Sequence, residues 1–252
     1  MREYVLRRML LDESAPGRPG VIITPKALVL HWTGNTGAGA DAVANRNYFN
    51  SVGRSVSAHY IVDDQQVVQC LPENEMAYHV GAEKYTPKAL ELLSPYPNDC
   101  TLGIEMCVNR DGDFRQTYAN TVALVSHILH RRGWYTDRLW RHYDVTGKVC
   151  PAYWVEDSYA VRYGFASAAE GWAQFRNDVN IALGELQGQG KTCVFTDMQG
   201  HWAREAVERA CRLGLVKGVS DTDFAPDRPL TRAEGVVLVM RLYDLLAGKN
   251  PP

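Results

Sequence analysis

Short apolar runs separated by segments of helical period constrain this chain more than any other feature. Ala27-Leu28-Val29-Leu30 lies in a stretch from Pro25 to His31 that reads as a buried strand, ending at a histidine and a glycine-rich loop. Leu102 to Val108 reads as a second buried strand, stopped by the turn residues Asn109-Arg110-Asp111-Gly112. Val56 to Val62 alternates, and a turn at Asp63-Asp64 leads into Val67-Val68, the pattern of a β-hairpin. Between these runs, Asp41 to Ser51 has helical character with Asp41 as its N-cap. Tyr118, Val122, Val125 and Leu129 mark one face of a helix that Gly133 ends, and Trp172 to Leu183 reads as another helix. Strands interleaved with helices predict an α/β fold, a mixed central sheet flanked by helices.

After Leu183 the chain becomes glycine-rich and poor in apolar residues, which predicts a linker over 185–193. The expected organisation is a first domain over 1–184 and a small helix-loop-helix module over 194–252. Some fifty residues are marginal for a self-sufficient core, so the module is expected to dock on the first domain or to self-associate.

A net charge of −2 argues against nucleic-acid binding through general electrostatic attraction. No apolar run is long enough to span a membrane. The segment Met1 to Arg8 is basic but no continuous apolar stretch follows it, so no signal peptide is expected and synthesis in the cytoplasm is. Six cysteines are scattered without C-x-x-C pairs, and most are expected to be free thiols.

The residues that carry chemistry are His31, His142, Lys148 and Cys150. Two imidazoles and a thiolate suit a tetrahedral zinc ion, and three protein ligands leave a fourth position for water. From residue types alone, a histidine closing a strand is more often a hydrogen-bonded core residue than a ligand, and a cysteine before proline more often a buried thiol. Glu105 is harder to explain as structure, because a carboxylate inside an apolar strand is costly to bury without a partner. His127 and His130 fall away from the apolar face of their helix and are expected to be solvated.

The combination His31-Trp32-Thr33-Gly34, Ser57-Ala58-His59-Tyr60, Ala77-Tyr78-His79-Val80-Gly81, Gly103-Ile104-Glu105 and His142 through Lys148 to Cys150-Pro151 resembles the zinc amidases of phage lysins, in the peptidoglycan-recognition-protein superfamily. The resemblance covers about residues 20 to 184, with the motifs in family order. It implies zinc held by His31, His142 and Cys150, Glu105 as the acid–base carboxylate, and Lys148 facing the reacting carbonyl. The implied reaction is hydrolysis of the amide between N-acetylmuramic acid and the L-alanine of the peptidoglycan stem peptide. Some members have tyrosine where this chain has Ala58, which points to the glutamate-using subset. His79 and His59 match segments near the substrate groove, His59 reading equally as structural, and Trp32 and Asn35 are candidate groove residues. The alternative is a non-catalytic peptidoglycan-binding protein, against which the presence of Cys150 weighs.

The segment Phe195-Thr196-Asp197 to Trp202-Ala203, then Phe224-Ala225-Pro226, then Leu230-Thr231-Arg232-Ala233-Glu234 resembles one S-layer homology motif. That resemblance implies binding of an anionic secondary cell-wall polymer, with Asp197, Trp202 and Arg232 as contacts. The family uses three motifs around a pseudo-threefold axis, and one copy implies a homo-oligomer or a weak anchor. Independently of any ligand, Thr231 and Glu234 form a capping box that starts a helix. Such a protein is expected to act at the bacterial wall, as a released lysin or a non-classically exported autolysin.

Overall fold

The structure, a computed structural model, describes residues 4–51, 53–188 and 195–246. Two compact units emerge, one comprising residues 2–124 and 138–175, the other 125–137 and 176 onward. The first holds a six-stranded sheet built from β1 (Leu6–Arg8), β2 (Ala27–Trp32), β3 (Tyr60–Val62), β4 (Val67–Gln69), β5 (Thr101–Met106) and β6 (Leu139–Arg141), in the order β1-β4-β3-β5-β2-β6. Only the β3–β4 pair is antiparallel. The mixed sheet with flanking helices is the architecture that the sequence predicts. The apolar run of β2 sits at its centre, Ala27 to Leu30 being fully enclosed, as a strand with neighbours on both edges and both faces must be.

The hairpin forms where expected, and Asp63 explains why. Its Oδ1 accepts from the amides of Gln65 and Gln66 at 2.8 and 2.7 Å, and its Oδ2 accepts from Ala42 N at 2.9 Å. One buried carboxylate thereby closes the turn and holds the first residue of α1 (Ala42–Phe49). Asp41 caps the same helix, accepting from Ala44 N at 2.7 Å. Of the alternating run from Val56, only Tyr60–Val62 forms β3, although His59 already pairs by donating to Gly103 O and accepting from Cys70 N. Edge strand β1 has no periodic signal at all: all three of its residues are exposed, and backbone pairing with β4 makes it a strand.

Helices α2 (Pro87–Leu92), α3 (Phe114–Arg132), α4 (His142–Thr146), α5 (Asp157–Arg162) and α6 (Ala168–Gly188) complete this part of the chain, α3 and α6 each contributing residues to both units. Helix α3 ends at Gly133, whose φ of 64° is the left-handed conformation expected of a glycine stop. Tyr153, Trp154, Trp172 and Phe175 form an aromatic cluster, Tyr153 and Trp154 entirely buried.

The second unit revises the predicted linker. Residues 185–188 are the last turn of α6, and 189–193 lie outside the described residues. Gly184 is a packing glycine rather than a flexible one, since a Cβ there would stand 2.6 Å from Leu213 Cδ2. Helices α7 (Arg204–Arg212) and α8 (Arg232–Leu246) follow. Phe195, Met198 and Cys211 are buried together under Val207, Val216 and Phe224. Cys70, Cys100, Cys107 and Cys150 are free and buried, and Cys211 is disulfide-bonded. No helix among the described residues is long and apolar enough to cross a membrane.

Arg18 and Glu75 clasp the first unit from outside the sheet. The guanidinium donates twice to the carboxylate, Nε to Oε2 and Nη2 to Oε1, both at 2.8 Å, while Nη1 donates to Leu11 O. These bonds hold the Glu75 carboxyl below the usual glutamate range. Its stabilisation is therefore complete above the unfolded pKa of ~4.3 and is lost as the pH falls through the lower folded value. Glu75→Gln should destabilise the chain by about 1.5 kcal/mol at pH 7, the low end for hydrogen bonds to charged groups. In denaturant melts the gap to the parent protein should close below about pH 4; a gap unchanged at pH 3 would remove Glu75 from the acid sensitivity.

Candidate metal centre

The cluster begins with a register. Strands β2 and β5 run parallel with His31 opposite Glu105, so both side chains leave the same face of the sheet. His31 is 2% exposed, and Glu105 faces Ile61 of β3 on its other side. The third element arrives through β6, which pairs with the other edge of β2 and ends at Arg141. There the chain turns directly into α4, with His142 as its first residue. Asp144 fixes the start, its Oδ2 accepting from Arg141 N at 2.8 Å, while Arg141 also donates to Trp154 O at 2.6 Å. Gly147 ends α4 with a φ of 81°, and the chain returns through Lys148 to Cys150, whose carbonyl accepts from Tyr143 N at 3.0 Å. A short helix pinned at both ends thus sets His142 and Cys150 on opposite sides of one tight loop.

His31, His142 and Cys150 meet at the end of that loop. One potential ligand atom from each lies within 4.8 Å of the others, and all three residues are buried. Cys150 Sγ stands 3.8 Å from His31 Nδ1, and the His31 and His142 ring centroids are 4.7 Å apart. His142 Nδ1 and Glu105 Oε2 are buried with no hydrogen-bond partner among the described residues, an arrangement that ordinarily costs about 1–3 kcal/mol per group. Burial pushes His142 down to about 4, with Lys148 acting in the same direction, and drives His31 well below the ordinary imidazole range. It pushes the Cys150 thiol up to about 12 and the Glu105 carboxyl up to about 8, Lys148 opposing it at Glu105. Two neutral imidazoles and a sulfur converging in a dry pocket are the donor set of a borderline-soft divalent metal. The residues present fit such an ion, and it would supply the charge that the orphaned atoms lack.

A cavity of about 650 Å³ opens beside the cluster, lined by Tyr78, His79, Tyr96, Asn98, His142 and Lys148 among others. Lys148 and His79 thus border the same space as His142. His59 does not. It is fully buried, its Nδ1 accepting from Gly103 N at 3.0 Å and its Nε2 donating to Glu75 O at 2.8 Å. With both ring nitrogens on backbone groups, His59 ties β3 to β5 and is no groove residue. Trp32 packs against Tyr153, Tyr159 and Tyr163 and lines a separate cavity of about 600 Å³. Asn35 is exposed, its amide oxygen accepting from Gly37 N. His130 is exposed, as expected, whereas His127 is half-buried and not the solvated residue that the sequence predicts; both lie on α3, outside the cluster.

One partnership is invisible in the sequence: His31 Nε2 lies 2.9 Å from His79 Nδ1. The motif around His79 marks it as a residue of interest, but nothing local to it names His31. Asn98 Oδ1 holds the segment in place, accepting from the backbone amides of His79 and Val80.

In the C-terminal module the capping box forms as read. Glu234 Oε2 accepts from Thr231 N at 2.9 Å, and Thr231 Oγ1 accepts from Glu234 N at 3.2 Å. The exposed Asp197 carboxylate accepts from Phe224 N and Ala225 N. It closes the loop before α8. Trp202 is 92% exposed, and Arg232 lines a shallow depression on α8 with Gly235, Val236, Val239 and Met240.

Comparison with known proteins agrees with this geometry. Among curated relatives, a probable N-acetylmuramoyl-L-alanine amidase of Bacillus licheniformis is 40% identical over 147 residues, 56% of this chain and 40% of the relative. The amidase BlyA of Bacillus subtilis (strain 168) is 37% identical over 56% of this chain and 40% of its own length. The chain thus spans about 40% of the length of these relatives. Among solved structures, the catalytic domain of XlyA superposes with a TM-score of 0.56 at 28% identity, covering 69% of this chain and 98% of that domain. An S-layer homology domain model matches residues 194–234. The model of the N-acetylmuramoyl-L-alanine amidase family matches residues 23–153, just over half of the sequence, and the chain belongs to that family.

Proposed function

We propose that this chain hydrolyses the amide between N-acetylmuramic acid and L-alanine in peptidoglycan, with zinc held by His31, His142 and Cys150. The observation that carries the reading is the buried His-His-Cys cluster beside a buried, unpartnered glutamate. Zinc bound there would act as a Lewis acid, bringing the pKa of water near ~7 and polarising a carbonyl. The chain's own residues supply the rest. Glu105 takes the proton from the attacking water and passes it to the leaving nitrogen as the C–N bond breaks, work worth about 10²–10⁴-fold. Burial raises the Glu105 carboxyl and Lys148 opposes that rise, and a carboxylate beside the cluster is the group type that general acid–base work requires. Lys148, on the cavity wall, meets the negative charge that develops on the carbonyl oxygen.

The test is a digest of purified peptidoglycan. New L-alanine amino termini are expected; reducing sugar ends would mean a glycosidase, and neither product would leave a non-catalytic wall binder. The intact chain should carry about one zinc by elemental analysis, and Cys150→Ser should lose it. Glu105→Gln should retain zinc while turnover falls at least about 100-fold, and wild-type turnover in that variant would exclude Glu105 from the chemistry.

We also propose that the segment from residue 194 is a wall-anchoring module that binds an anionic polymer and self-associates. Seven Lys/Arg against eight Asp/Glu between Val194 and Ala247 leave no general basic face, so recognition falls to a local site at Arg232 and Trp202. Helix α8 supports self-association: none of its residues is buried, and Val236, Val239, Tyr243 and Leu246, along one side, are each more than half exposed. An apolar stripe of that kind on a soluble helix marks an interaction surface. Light scattering of the intact chain at micromolar concentration should give an oligomer, and Val236→Glu with Val239→Glu should return it to monomer without loss of amidase turnover. A monomeric parent protein would overturn self-association, and equal sedimentation with walls of chains with and without residues 194–252 would overturn anchoring.

A further inference from the structure

The imidazole of His79 is used by none of the steps above, yet it is buried and bonded on both nitrogens. Its proton can be placed by following the donors. Thr101 Oγ1 donates its single proton to Pro97 O at 2.6 Å, so toward His79 that hydroxyl can only accept. His79 Nε2 lies 3.1 Å from Thr101 Oγ1 and 3.3 Å from Thr101 O, which is also only an acceptor. Two acceptors converging on one nitrogen require that nitrogen to carry the proton. Both rings are buried, 7% exposed for His79 and 2% for His31, where a charged imidazole is costly, so each holds one proton. His79 Nδ1 is then an acceptor, and the 2.9 Å contact is a bond donated by His31 Nε2. That leaves the lone pair of His31 on Nδ1, the atom 3.8 Å from Cys150 Sγ.

We propose that His79 is a positioning residue: through the relay Pro97–Thr101–His79 it fixes His31 as the Nε2-protonated tautomer and aims the Nδ1 lone pair at His142 and Cys150. The ring has no freedom to drift. Gly103 passes so close that a Cβ there would stand 2.6 Å from His79 Cγ, and Asn98 holds the His79 backbone from the other side. Outer partners of metal-bound histidines set tautomer and orientation, and losing one typically costs about 10–100-fold in metal affinity. The inference rests on the zinc reading only for that consequence; the tautomer stands on the hydrogen bonds.

The experiment uses the full chain with ¹⁵N-labelled histidine. In the metal-free protein, long-range ¹H–¹⁵N spectra should show His31 protonated on Nε2 and His79 protonated on Nε2. Protonation of His31 on Nδ1 would overturn the proposal. Zinc affinity is then measured by competition with a chromophoric chelator. His79→Ala should weaken binding about 10–100-fold, and His79→Gln, whose amide oxygen can accept from His31 Nε2, should recover much of it. A folded His79→Ala protein with zinc affinity within about twofold of the parent would also overturn it. Should His79→Ala fail to fold, the parent spectrum and the glutamine variant decide. A parent chain that binds no zinc would sink the metal centre, while the tautomer would still be read from the spectrum.

Discussion

Everything at the centre depends on the parallel register of β2 against β5. Sliding that pairing by one residue would turn either His31 or Glu105 to the opposite face of the sheet. The register is secured by burial, since Ala27 to Leu30 and Leu102 to Ile104 have no exposed face to exchange. It is also secured by His59, which accepts from Gly103 N on β5 and donates to Glu75 O. A histidine that resembles a groove residue in sequence therefore acts as a strut beside the strand that carries Glu105. Glu75 is in turn clasped by Arg18, so one contiguous network runs from the N-terminal segment to the strand that carries Glu105.

Two buried polar atoms at the site, His142 Nδ1 and Glu105 Oε2, lack a hydrogen-bond partner among the described residues, whereas the buried side chains of Asp63 and Asn98 are satisfied by backbone amides. Holding such groups in place requires surroundings that cannot collapse onto them. The β6–α4 junction, pinned through Arg141 to Asp144 and Trp154, supplies this on one side, and the buried Tyr153–Trp154 pair on the other. The C-terminal module is built on the opposite principle. Among the described residues its core is three buried side chains, while α8 has none buried.

Much of this was legible along the chain. The hairpin at Asp63, the caps at Asp41 and at Thr231 with Glu234, and the glycine stop at Gly133 depend on groups within a few residues of one another, which spacing displays directly. The potential metal donors His31, His142 and Cys150, with Lys148 between the last two, were legible for the same reason and through family resemblance. Where local rules erred, tertiary packing overrode them. Residues 185–188 read as linker but are the last turn of α6; β1 exists only because β4 offers it an edge.

The sequence by itself determined which donor atoms this chain possesses and which short elements carry them, because side-chain chemistry, periodicity and capping are local. Only the tertiary structure decided that Cys150, 119 residues from His31, shares a pocket with it, that Glu105 stands in its register, and that His79 Nδ1 lies within hydrogen-bond distance of its Nε2. Those relations follow from strand order and register, which are fixed by burying all the apolar runs at once, and no single segment specifies them.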